Sequence, residues 1–245
     1  MKPKELLYAH RYTEAVHAFR QDMHENTDHN FHSAIGYALL ASGTFDEAIE
    51  SFRRNNEIES GRARGSFPSL NQIATALWLM GKRRDALLEW HHAIAGIIEG
   101  RISYGDAAGG ASQGLLLWYG AVTSKNEAEL EYAINYLRKL RERKNYGSAI
   151  LWPRPIILMV LGDRSFAEVS NQVTESMDLT ECVSRVRGDL LKRRQLCKLL
   201  FYAACQDRQA GDEAACLLKM RLCYGLENPV LEAEWYLARG ECGGK

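Results

Sequence analysis

Apolar residues in this chain return at helical spacing, and the spacing itself recurs. In Gly43-Thr44-Phe45-Asp46-Glu47-Ala48-Ile49-Glu50-Ser51-Phe52, apolar side chains fall on one helix face and acids on the other. The phrase is echoed at Gly81-Lys82-Arg83-Arg84-Asp85-Ala86-Leu87-Leu88-Glu89-Trp90. A damaged copy stands at His10-Arg11-Tyr12-Thr13-Glu14-Ala15-Val16-His17-Ala18-Phe19. Each copy has an Ala five residues after its turn position and an aromatic four residues later. The unit this predicts is two antiparallel helices that cannot bury their apolar faces alone, so neighbours must stack.

The pattern continues past these copies with altered lengths. Ala15 and Ala48 are 33 residues apart, Ala48 and Ala86 are 38 apart, and Ala133 follows 47 later. The extra length before Ala133 is spent on a glycine-rich stretch, 100–110, ahead of helices predicted over 115–122 and 128–143. A short pair follows: 152–161, with proline in its first turn, then 165–173. A sixth pair is predicted at 183–209 and 212–225, then a capping helix at 229–239. Thr44-x-x-Glu47, Ser124-x-x-Glu127 and Ser165-x-x-Glu168 are capping boxes where second helices should begin.

The residues at 29–62 resemble a tetratricopeptide repeat, a 34-residue helix-turn-helix. Gly36 fits the helix crossing, Leu39 the core and Gly43 the turn. Phe45 fits the turn aromatic, Ala48 the small contact, and Phe52 the aromatic that packs on the next repeat. At 67–97, Ala74, Leu77, Gly81, Ala86, Trp90 and Ala93 match at the same offsets, while Arg83 replaces the turn aromatic. The resemblance implies an all-α, right-handed α-solenoid of helix-turn-helix repeats spanning 1–245 as a single domain. Its clearest repeats are at 10–97, with divergent ones at 100–227, like those of bacterial repeat proteins. It also implies a concave groove lined by first helices. The groove positions would be Asn30, Ser33, Tyr37, Leu40 and Ala41 in one repeat, and Asn71, Thr75, Trp78 and Leu79 in the next. Trp78 reads equally as a core residue, because tryptophans are bulky and usually buried.

Charge narrows the partners. Lys+Arg and Asp+Glu both number 31, so no global charge favours nucleic acid or an anionic membrane. Basic runs at 138–144 and 185–198 could contact phosphates or an acidic protein surface. Interleaved Leu137, Leu140, Leu190 and Leu191 make them read first as solvated faces of amphipathic helices. No segment reaches the ~20 apolar residues needed to cross a bilayer, and no secretory signal is visible. A cytoplasmic location is expected. There the six cysteines act as small buried hydrophobes rather than disulfides.

Little in the chain points to chemistry. Gly-x-x-x-Gly-Gly-x-x-x-Gly at 105–114 lacks the Gly-Lys-Ser/Thr of a phosphate loop and the preceding strand of a dinucleotide loop. It reads as a plain inter-repeat connection or as an inserted binding loop with Tyr104, Asp106, Ser112 and Gln113 as contact groups. His29 and His32 share a helical spacing, but no Cys or Glu completes a ligand set, so no metal is expected. No nucleophile signature occurs, and neither an enzyme activity nor a cofactor is expected. The expectation is a protein-protein interaction module with one dedicated partner. Its concrete form is a bacterial immunity protein that masks a toxin, drawn from a short, cytosolic chain with no fused effector. The alternative is a general adaptor or chaperone for peptide segments, and behind it a nucleic-acid-binding regulator.

Overall fold

The computed structural model describes residues 1–25, 31–62, 66–103, 110–142, 152–176, 178–228 and 230–243. Helices account for all the regular structure among them, with no strand. The chain divides into two compact units, Met1–Tyr104 and Gly105–Lys245.

Among its described residues the first unit holds six helices: α1 (Pro3–Tyr8), α2 (Tyr12–Glu25), α3 (His32–Ser42), α4 (Phe45–Arg62), α5 (Leu70–Leu79) and α6 (Arg83–Ile98). Each packs on the next in chain order. The turn between α3 and α4 needs a left-handed residue. Gly43 supplies it at φ 82°, and the Gly43 and Thr44 amides donate to Leu40 and Leu39 carbonyls at 3.2 and 2.9 Å. The α3–α4 crossing is equally specific. A Cβ on Gly36 would stand 2.5 Å from the Phe52 ring. Phe52 thus lies on Gly36 and edge-on to Tyr37 within its own hairpin, where the resemblance sets it against the following one. Ala15, Ala48 and Ala86, the recurring alanines, are fully buried.

The join from α4 to α5 is polar. Asn55 Nδ2 donates to Ser69 Oγ, and the Ser69 amide donates to Asn56 Oδ1, both at 2.9 Å. These buried groups satisfy one another where the chain reverses.

The second unit holds α7 (Ala111–Ser124), α8 (Glu127–Glu142), α9 (Arg154–Val160), α10 (Phe166–Thr174), α11 (Leu179–Arg185), α12 (Leu190–Gln209), α13 (Glu213–Gly225) and α14 (Ala233–Glu241). Here α12 packs against α7, α9, α10, α13 and α14. The reason is its composition. From Leu196 to Cys205 every residue but Lys198 is buried, so this middle stretch of α12 is apolar nearly all round and needs cover on every side.

Several sequence expectations change here. The helix predicted over 183–209 is two helices, because Asp189 caps α12 by accepting from the Lys192 amide at 2.9 Å. Ser165 and Glu168 form their capping box around the start of α10. Ser124 does not cap α8. Its hydroxyl donates back to the Gly120 carbonyl at 2.7 Å, and Asn126 Oδ1 accepts from the Glu129 amide instead. Thr44 shares its hydroxyl with Ser42 at 3.2 Å. No described helix is long and apolar enough to cross a membrane.

Candidate functional site

The expected groove residues separate by burial. Tyr37, Leu40 and Ala41 on α3 and Thr75 and Trp78 on α5 are buried, Leu40 and Thr75 completely. The physical reasons are local. Thr75 Oγ1 donates to the Asn71 carbonyl one turn back at 2.7 Å, which folds the hydroxyl onto its own helix. Trp78 lies 5.8 Å from the Trp90 ring and beneath the Arg83 guanidinium at 5.3 Å. It is packed between α5 and α6 and offers a partner almost no surface.

What remains reachable on this side is Ser33 on α3, with Asn71, Gln72 and Leu79 on α5, all half-buried. Asn30 lies outside the described residues. The two helices meet where Gln72 Nε2 donates to the Tyr37 hydroxyl at 2.6 Å. That bond uses the amide nitrogen and leaves Gln72 Oε1 buried without a hydrogen-bond partner among the described residues. Asn71 Oδ1 is in the same state. Two neighbouring unpaired acceptors on one helix are uncommon, since an unsatisfied buried polar atom costs about 1–3 kcal/mol. Gln72 escaped the sequence reading, and nothing in the sequence distinguishes it from a solvated glutamine.

The proposed binding loop is redrawn. Ser112 and Gln113 stand in the first turn of α7, where Ser112 is half-buried and Gln113 is buried. Gln113 is packed inside the second unit and is not a surface contact group. Tyr104 and Asp106 lie outside the described residues.

The basic runs lose much of their free charge. Arg141 pairs with Asp163 at 3.0 Å. Arg185 pairs with Glu181 at 2.7 Å and donates to the carbonyls of Thr174 and Glu175 at the end of α10. Arg193 pairs with Glu227, and Lys198 is held by Glu232 at 2.7 Å and Glu234 at 2.9 Å. A stripe matched by carboxylates has few counterions left to exchange for phosphates.

No group of three or more His, Cys, Asp or Glu among the described residues is placed to hold a metal ion. Five of the six cysteines are buried, and Cys242 is half-buried. Burial pushes the Cys197 and Cys205 thiols well above their ordinary value, so they pack as hydrophobes rather than react. Against known proteins, the chain matches no protein-family model, no curated protein and no solved structure.

Proposed function

We propose that the chain is a tetratricopeptide-like helical-repeat protein. In this reading it binds one dedicated protein partner across the α3–α5 face of its first unit. The observation that supports this most directly is the pair of unpaired acceptors, Asn71 Oδ1 and Gln72 Oε1. Both side chains are half-buried, and the terminal amide torsion is soft. A modest rotation therefore offers an oxygen to a donor. A partner's backbone N–H groups remove the penalty that the free protein carries. Ser33 adds a hydroxyl on the neighbouring helix, while Tyr37 and Trp78 act from below as scaffold.

The mechanism is occupancy: a partner segment is held, hidden or presented. Its concrete form is an immunity protein of a bacterial cytoplasm that masks a toxin; the competing form is an adaptor for many peptides. The test is capture from the native host followed by affinity measurement on the identified partner. A single stoichiometric partner favours the dedicated form, and a spread of peptides favours the adaptor. Asn71→Ala should weaken that partner by about 1–2 kcal/mol while leaving the melting temperature within a degree or two. Undiminished affinity in both Asn71→Ala and Gln72→Ala would overturn the reading.

A further inference from the structure

A second surface in the first unit has its own chemistry. A cleft of about 230 Å³ opens between α2, α3 and α4. It uses the other side of α3: His32, Ile35 and Leu39 recur at i, i+3 and i+7, whereas Ser33 and Tyr37 share the opposite face. Its floor is apolar, made by half-buried Met23 and by Ile35 and Leu39, both nearly closed off from solvent.

Charge is confined to the mouth, and most of it is already matched. Arg20 on α2 reaches across to Glu47 on α4 at 2.9 Å. Arg54 is paired with Glu57 one turn further along α4, at 2.7 Å. Glu50, between them on α4, has no ion-pair or hydrogen-bond partner among the described residues. Burial, with the Arg54 guanidinium beside it, holds His32 below the usual imidazole value, so it adds no positive charge near neutral pH. The cleft is thus an apolar slot with one unmatched carboxylate at its lip.

We infer that this cleft is a docking site for a lysine or arginine side chain of a partner protein. The aliphatic stem lies along Met23, Ile35 and Leu39, and the cationic head reaches Glu50. Long basic side chains bury their stems on apolar surface while the charge stays in water. An acidic side chain would find Arg20 and Arg54 already engaged by Glu47 and Glu57 and would face the unmatched Glu50. An aromatic side chain would fill the slot but leave Glu50 unanswered. The inference rests on no part of the α3–α5 reading, because the two faces share no side chain.

The experiment uses the full chain with methyl-labelled methionine and isoleucine. Acetyl-arginine amide and acetyl-lysine amide are titrated in, followed by acetyl-norleucine amide and acetyl-tryptophan amide. The Met23 and Ile35 methyl resonances should move saturably with the two cationic probes and only at higher concentration with norleucine. Glu50→Gln should weaken the cationic probes about two- to five-fold, the range of an exposed charge pair, and leave norleucine unchanged. Met23→Ser should weaken both kinds. Helicity of each variant is checked by circular dichroism. The inference is overturned if no probe gives a saturable shift at its solubility limit. It also fails if tryptophan binds best, or if Glu50→Gln leaves the arginine probe as before.

Discussion

The two units of this chain solve the same problem differently. In Met1–Tyr104, helices pack in chain order, and the contacts that set each crossing come from neighbouring helices. Gly36 under Phe52 and Asn55 on Ser69 are examples. In Gly105–Lys245, one helix is wrapped by five others. The second unit also buries charge. Lys198 on α12 sits between Glu232 and Glu234, and the Tyr202 hydroxyl donates to Glu234 at 2.8 Å. At the far end of α14, Glu241 accepts from Arg208 at 3.0 Å and from the Tyr119 hydroxyl at 2.7 Å. α14 is therefore fastened at both ends by ions. Local packing tolerates a sequence read one hairpin at a time. Packing around a hub makes each contact depend on helices distant in sequence.

The largest expected effect tests the hub. Lys198→Ala removes the cation between two largely buried acids, leaving only Arg194 at 3.7 Å from Glu232, and should cost roughly 3–5 kcal/mol in urea denaturation. Hydrogen exchange should accelerate together in α12, α13 and α14. Acceleration confined to α12 would mean that the second unit is no more interdependent than the first.

pH sharpens the same point. Burial alone would lower the Lys198 pKa, but Glu232 and Glu234 outweigh it and hold the ammonium above the ordinary lysine range. The folded state then keeps a proton that the unfolded chain releases. That stabilisation is fully present below about pH 10.4 and is lost as pH rises further, so the gap between wild type and Lys198→Ala should narrow there.

Trp78→Ala should cost about 3 kcal/mol or more, as a large core truncation does. Its damage should stay in α5 and α6. A melting temperature unchanged from wild type would show that Trp78 is a surface residue after all. Gly36→Ala is milder, about 1–3 kcal/mol, because the Phe52 ring must move to admit a methyl. Thermal denaturation checks it, and wild-type stability would mean that the α3–α4 crossing is looser than the contact implies. Smallest is Tyr37→Phe, roughly 0.5–1.5 kcal/mol for the lost bond to Gln72. If Tyr37→Phe costs nothing, Gln72 pairs elsewhere.

Helical periodicity and punctuation made much of the first unit readable. A left-handed turn calls for a glycine such as Gly43, and an alanine at a tight crossing stays buried whatever surrounds it. These are constraints within one or two turns, so sequence carries them directly. The candidate site was less readable. Asn71 and Ser33 remain accessible where the groove was expected, but Leu40 and Thr75 on the same helices are sealed. Helical spacing states which residues share a face, and not how closely the neighbouring helix covers it.

The amino-acid sequence by itself determined an almost wholly helical chain and its principal turns. Each follows from backbone propensity, φ limits or a period of 3.6 residues. Only the tertiary structure decided that α12 is the hub, that much of the basic run at 185–198 is neutralised internally, and that Tyr37 and Trp78 are buried. It also decided that, among the described residues, Asn71 and Gln72 carry unpaired oxygens and Glu50 an unmatched charge. Those outcomes depend on which distant residue happens to lie within a few ångströms, and no local pattern records that.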